Sequence, residues 1–359
     1  MNKKKNKETS KRVYINKRIL LFKIGAIGDT LMTTPFLRQL RKNNPKAEID
    51  YLIGNASKEV LTGNKNLNNI ISFDESIIFK RKIRDYISLA SKIKKKKYDV
   101  VYVLDKHWAL NLTSKFFDIK KRIGFDRQGK EGMLLTYKVF YGNNKHEIYY
   151  YLDLLKAEGV NPDYSDVKMD LKLESEDLNK AESVWKKYSL KNKKVVCVIP
   201  GGGSNPGEST GVRNWPIYRY IGLTEKLIAK NYAIILIGGK SDKKLSNIIM
   251  ENIKNKNVID LTGSLKLKES AAVISKCDYV VCNDSGPMHL AACVNNRIIS
   301  LFGPTNPKRK APLVKGSHAI WKGKKDYERD YELYGKTPEN NAIDSIKKIT
   351  AYDVLAYIK

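Results

Sequence analysis

Cysteine is scarce: four residues in 359, with no CxxC pair, which leaves neither a zinc knuckle nor a disulfide framework to expect. Cys197, Cys277, Cys282 and Cys293 stand in apolar, strand-like surroundings and read as reduced core thiols. The four histidines are scattered and form no HxH or HExxH, so no metal site is expected. No stretch approaches the roughly 20 apolar residues that a membrane-crossing helix needs. The basic start from Met1 to Arg18 is followed only by the short apolar run Ile19 to Phe22, too little for the core of a signal peptide. A soluble cytoplasmic protein is the expectation. The lysine and threonine pattern of a P-loop, the glycine triplet of a dinucleotide fingerprint, and any zinc finger or compact aromatic-basic array are also missing. Acid is in deficit too: 38 Asp and Glu face 67 Lys and Arg, a formal net charge of +29. Such an excess favours an anionic partner without choosing among nucleic acid, a membrane surface and a phosphorylated ligand. The basic residues are spread along the chain, so part of the excess is equally well a compositional bias.

What is present is an ordinary globular composition, 42% hydrophobic and 29% charged, in a chain long enough for two cores. Apolar runs without polar positions alternate with helical stretches. Strands are expected at Arg18–Lys23, Glu48–Ile53, Asn69–Phe73, Tyr98–Leu104 and Lys121–Phe125. A helix should follow the Gly25 to Asp29 turn, with Pro35 either opening a second helix or bending a longer one. Another runs from His146 to about Glu158 and stops at Gly159. The polar stretch from Val160 to Asn192, with one helix at Ser175–Tyr188, reads as a hinge. The alternation then restarts, with strands at Val195–Ile199, Ala233–Ile237, Val258–Leu261, Tyr279–Cys282 and Ile298–Phe302. Asn341 to Ile358 is expected to be a helix. This pattern predicts an α/β protein with two tandem parallel sheets and a ligand beyond the carboxyl ends of the strands, in a cleft between domains.

Three loops directly after strands combine glycine, hydroxyl and charge. In Lys23-Ile-Gly-Ala-Ile-Gly-Asp29-Thr30, Asp29 opens a helix, where the helix dipole favours its anionic form; it is either a base or a plain cap. Pro200-Gly-Gly-Gly-Ser204 leads to Arg213, Trp215 and Pro216, with amides and a guanidinium suited to phosphate. In Asn283-Asp-Ser-Gly-Pro-Met-His289, Ser285 can cap, Pro287 fits the first turn, and His289 lies one turn inside, either facing a phosphate or packed on the sheet. Gly238-Gly239 followed by Asp242 suits a ribose or base edge. The run Lys308, Arg309 and Lys310 reads equally well as solvated surface.

Taken together, these residues resemble glycosyltransferase family 9, the ADP-heptose:lipopolysaccharide heptosyltransferases, across nearly the whole chain. Lys23 to Leu31 with Pro35 looks like the family's opening motif. Pro200 to Gly203, Arg213-Asn-Trp215-Pro216, Gly238-Gly239 and Asn283 to Ala291 look like its donor-side motifs. The resemblance implies the GT-B architecture, two Rossmann-like domains facing across a cleft: an acceptor-binding domain over 1–170, a nucleotide-sugar domain over 171–340, and a C-terminal helix over 341–359 packing back. It implies an inverting transfer with no metal and no cofactor, an ADP-linked sugar as donor, and Asp29 as catalytic base. Gly202, Gly203, Ser204, Arg213, Ser285, Gly286 and His289 would hold the donor diphosphate. Arg213 stands where family members commonly carry Lys. Asp284, Gly239 and Asp242 would contact sugar and ribose, Asp242 being the nearest carboxylate to the Glu often found in relatives. Lys23, Lys106, His107, Trp108, Lys121 and Arg122 would meet an anionic, lipid-linked glycan of the lipopolysaccharide inner core. The cytoplasmic face of the inner membrane is a further expected partner, reached by the basic leader and the Lys308 to Lys310 run, and no specific nucleic acid is expected. Two alternatives stay open at this point: the same fold with another sugar or acceptor, and a nonenzymatic binder of sugar nucleotides or nucleic acid.

Overall fold

The computed structural model describes residues 17–79, 83–127, 129, 131–142, 144–202, 213–323 and 340–359. The leader up to residue 16 and two expected donor-side residues, Gly203 and Ser204, lie outside the described residues.

Two six-stranded sheets form the frame. The first contains β1 (Arg18–Lys23), β2 (Glu48–Gly54), β3 (Asn69–Phe73), β4 (Val100–Val103), β5 (Lys121–Asp126) and β6 (Tyr137–Phe140), in the order 3-2-1-4-5-6. The second contains β7 (Val195–Ile199), β8 (Ala233–Leu236), β9 (Val258–Asp260), β10 (Tyr279–Asn283), β11 (Ile298–Phe302) and β12 (His318–Trp321), in the order 12-11-10-7-8-9. Read from β9, the second order repeats the first. Every neighbouring pair is parallel. The central strands are apolar in their middles because both faces are covered: β7 is Val-Val-Cys-Val-Ile, all buried. The order of strand addition reverses between β1 and β4 in one half and between β7 and β10 in the other. These are the crevices where a parallel α/β sheet offers a ligand site.

Both crevices are stitched by one polar side chain. Asp105, just after β4, accepts from the Ile24 amide at 2.6 Å and pairs with the buried Lys23 ammonium at 2.8 Å. Asn283, ending β10, donates through Nδ2 to Pro200 O at 3.0 Å, while its Oδ1 accepts from the Trp215 amide at 3.0 Å and the Tyr220 hydroxyl at 2.9 Å. Each loop that leaves the sheet at a crevice is thereby anchored to its neighbour.

The helix after β1 is two helices. Ile27–Leu31 ends before Thr34–Asn43 begins, with Thr33 at the N-cap position and Pro35 in the first turn. Pro35 has no amide for Leu31 O, and the Thr34 hydroxyl donates to that carbonyl instead, at 2.7 Å. The break leaves Asp29 on a one-turn helix of its own.

One hydrophobic cluster runs through both halves, joining residues such as Leu31, Met32 and Tyr151 to Cys197, Ala272 and Met288. Helix Ser175–Lys187, from the expected hinge, packs on helix Leu267–Ser275. The C-terminal segment is also two helices, Asn340–Lys347 and Ala351–Leu355, because Thr350 caps the second by accepting from the Asp353 amide. Ile346, Ile349, Val354 and Ile358 pack it into the outer cluster of the second sheet. All four cysteines are free. No helix among the described residues is long and apolar enough to cross a membrane.

Candidate active site

The loops after β1, β7 and β10 meet in one open cleft, lined by Ala26, Gly28, Asp29, Gly202, Arg213, Asn214, Asp284, Ser285, Gly286, His289 and Lys310. Asp29 comes from the first half, in the first turn of its short helix, where the peptide dipoles favour a carboxylate. Among the described residues, the other charged groups lining the cleft, Arg213, Asp284 and Lys310, come from the second half.

The approach of the two halves is close because of glycine. A Cβ on Gly28 would stand 2.5 Å from His289 Cδ2, and one on Gly286 would stand 3.7 Å from Ile27 Cβ. The bare Gly28 thus makes room for an imidazole from the opposite half. His289 is buried, and its Nδ1 has no hydrogen-bond partner among the described residues. Burial pushes its pKa below the ordinary histidine value, against the pull of Asp284 and Asp29, so the ring is neutral at physiological pH. A neutral ring with an uncommitted nitrogen can donate one hydrogen bond to a phosphate oxygen.

Helix Gly286–Val294 points its amino end at the same space. Ser285 occupies the N-cap position as expected, but its hydroxyl does not cap the helix: it donates to Asn283 O at 3.2 Å. The first amides are therefore not taken up by that side chain, and they form an anion-binding end. Asp284 is almost fully buried. Its Oδ2 accepts from the Thr305 hydroxyl at 2.7 Å and lies 3.8 Å from Arg213 Nη1, which sets the guanidinium against the cleft wall. The Arg213 loop is held from behind by buried Trp215, whose indole donates to Ile349 O at 2.9 Å.

Other expected residues are placed differently. Gly239 is exposed, and Asp242 is buried beneath it, its Oδ2 accepting from the Gly239 amide at 2.9 Å. A Cβ on Gly201 would come 2.1 Å from Asp242 Oδ1, so this carboxylate clamps two glycine loops together and does not line the cleft. Lys23 is buried in its pair with Asp105. Lys106 is paired with the fully buried Glu147 and lies over the Tyr141 ring, 4.6 Å from its centroid. His107 caps helix Trp108–Lys115, its Nδ1 accepting from the Ala109 amide at 3.2 Å, and Trp108 stands half exposed beside it. Lys121 and Arg122 begin β5, at the end of the sheet opposite the cleft. Lys121 pairs with Glu158 at 2.6 Å, and Arg122 donates to Leu134 O and Ile119 O. Among the described residues, no group of three or more His, Cys, Asp or Glu side chains is gathered to hold a metal ion.

Sequence reasoning missed Asn214, Ala26 and Lys310 as cleft residues and Thr305 as the partner of Asp284. The Lys308 to Lys310 run also departs from the solvated reading: only Lys308 is exposed, Arg309 is buried, and Lys310 lines the cleft.

Two parallel sheets of repeated order, with their loop-bearing ends meeting across a polar cleft, have the layout of a GT-B fold. The model of Glycosyltransferase family 9 (heptosyltransferase) matches residues 86–334, well over half of the chain, and the chain belongs to that family. It is 25% identical over 323 residues to lipopolysaccharide heptosyltransferase 2 of Escherichia coli K12, covering 85% of this chain and 91% of that protein. Its fold is similar to the crystal structure of a family 9 glycosyl transferase from Veillonella parvula, with a TM-score of 0.81, 22% identity, and coverage of 95% of this chain and 96% of that one. The E. coli ADP-heptose LPS heptosyltransferase II structure superposes with a TM-score of 0.74 at 23% identity, over 95% of this chain and 97% of that chain. The chain is therefore a glycosyltransferase, and the nonenzymatic reading is set aside.

Proposed function

We propose that the protein moves a heptose from ADP-heptose to the lipopolysaccharide inner core, by an inverting reaction without a metal ion. The observation that carries this reading is that Asp29 from one half lines the same cleft as Arg213, His289 and the amino end of helix Gly286–Val294 from the other. Asp29 takes the proton of the acceptor hydroxyl as that oxygen attacks the anomeric carbon. The bond from that carbon to the diphosphate breaks, and the departing ADP gains negative charge. Arg213, the amides at Gly286 and the His289 ring are fixed in place to receive it before the charge develops. Asp284, tied to Thr305, orients Arg213 and the sugar hydroxyls. The heptose and ADP assignments draw on the names of the relatives, and residues 1–170, 171–340 and 341–359 are assigned the acceptor, donor and packing roles.

The test is a panel of ADP-, GDP- and UDP-sugars with a heptose-deficient inner-core acceptor in the presence of a chelator. Turnover confined to ADP-heptose is the expected result. Transfer from another donor alone would move the chain to a different sugar within the same chemistry.

An anionic membrane face is the further proposed partner. Supporting it, the first half exposes Trp108, Phe116, Met133 and Phe140, and the chain as a whole carries an excess of lysine, the two kinds of group suited to a headgroup region. Each nearby Lys or Arg would contribute about 1 kcal/mol at such a surface. Co-sedimentation with anionic vesicles should weaken as salt rises; binding indifferent to salt would contradict the electrostatic part.

A further inference from the structure

Lys310 enters the cleft from a segment that the second half does not hold alone. The one-turn helix Pro307–Lys310 follows the loop bearing Thr305, and its last three residues diverge: Lys308 faces solvent, Arg309 runs into the first half, and Lys310 lines the cleft. Arg309 is 1% exposed, and its Nη2 donates to Glu147 Oε1 at 2.7 Å and to the Tyr141 hydroxyl at 2.6 Å. Glu147 is fully buried, and its carboxylate also takes Lys106 and the Tyr141 hydroxyl. One residue earlier, His146 accepts from the Ile148 amide through Nδ1 at 3.2 Å. This fixes the proton on Nε2, which donates to Ala311 O at 3.0 Å. Burial lowers the His146 pKa to about 4 and keeps that donor neutral. Residues 309 and 311 are thus both fastened to the consecutive pair His146 and Glu147 of the opposite half, and Lys310 is the residue between the two fastenings.

We propose that Glu147, acting through Arg309, is a positioning residue that places the Lys310 ammonium against the diphosphate of the donor, so that this cation is presented only when the two halves are joined. The inference rests on the donor reading above for the presence of a diphosphate, and its ligand class is any molecule carrying two linked phosphates. A buried arginine in a hydrogen-bonded carboxylate pair has a fixed direction, and a lysine one residue further on inherits it. Lys310 itself has a flexible stem. Its contribution to a compact anion depends on where its backbone is held.

The experiment measures ADP and pyrophosphate affinity by calorimetry, together with the donor KM and kcat, for Lys310→Met, Glu147→Gln, Tyr141→Phe and the double variant Glu147→Gln/Lys310→Met. Lys310→Met should weaken both ligands about tenfold, as for loss of one charge-assisted contact. Glu147→Gln should weaken them in the same way, and Tyr141→Phe, which keeps the ion pair, should do so less. The double variant should bind no worse than Lys310→Met alone, since Glu147 has nothing left to position. Additive losses would mean that Glu147 supports the fold only, and would overturn the proposal, as would variants binding both ligands like the wild type. If Glu147→Gln does not fold, Tyr141→Phe alone and with Lys310→Met decides by the same criterion. A wild type that binds pyrophosphate but not ADP would remove the adenosine reading and leave this one standing; binding neither would remove both.

Discussion

Asp29→Asn is expected to lower kcat by about a thousandfold, within the range that one general base contributes, or about 4 kcal/mol of transition-state stabilisation. The exchange keeps the size of the side chain and its place in the first turn of helix Ile27–Leu31. Affinity for ADP should stay within a factor of two or so, because Arg213, His289 and the Gly286 amides are untouched. The check is product formation under saturating substrates beside calorimetric ADP binding. Turnover retained in the variant would remove the base from the mechanism. A loss of ADP affinity as large as the loss of rate would make Asp29 a binding group.

Gly28→Ala should separate stability from activity. Inside a helix, alanine is favoured over glycine by roughly 1 kcal/mol, so on local grounds the first half should melt no earlier than the wild type. The added methyl, however, would sit 2.5 Å from His289 Cδ2, closer than real atoms pack. Either the imidazole turns away or the halves part, and a displacement of about 1 Å at a reacting centre costs on the order of a hundredfold in rate. The expected outcome is a Tm lowered by a few degrees at most, because the helix gain offsets part of an overpacking cost of about 1–3 kcal/mol, with kcat/KM down about a hundredfold. Wild-type activity would mean that His289 does not work at the position where it packs.

The strands around each crevice were legible because they are buried on both faces, with polar residues only at their ends. Asn69–Phe73 and Ile298–Phe302 have the expected bounds, and β1, β7 and β10 differ by a residue at most. The last strand of each half was not. β6 and β12 are edge strands of four residues, mostly exposed, and Tyr-Lys-Val-Phe or His-Ala-Ile-Trp offers neither a long apolar run nor a clear alternation. The loops after β1, β7 and β10 could be read as a site because each keeps glycine beside charge at a strand end. What could not be read was partnership across distance. Arg309 sits in a basic run that looks solvated, and only the fold brings up Glu147, 162 positions earlier, to bury it. His146 could be recognised as opening a helix, but the bond from its Nε2 spans 165 positions. Asp242 likewise reads as a ligand carboxylate until Gly201 is seen packed against it.

The central claim is a direct attack at the anomeric carbon by an acceptor oxygen that Asp29 deprotonates, with the diphosphate held on the opposite wall. The anomeric configuration of the sugar in the product, read by nuclear magnetic resonance, tests it most directly. Direct displacement predicts a product of opposite configuration to the donor. Retained configuration would require either a covalent intermediate or attack from the face that the diphosphate leaves, and either would contradict the account.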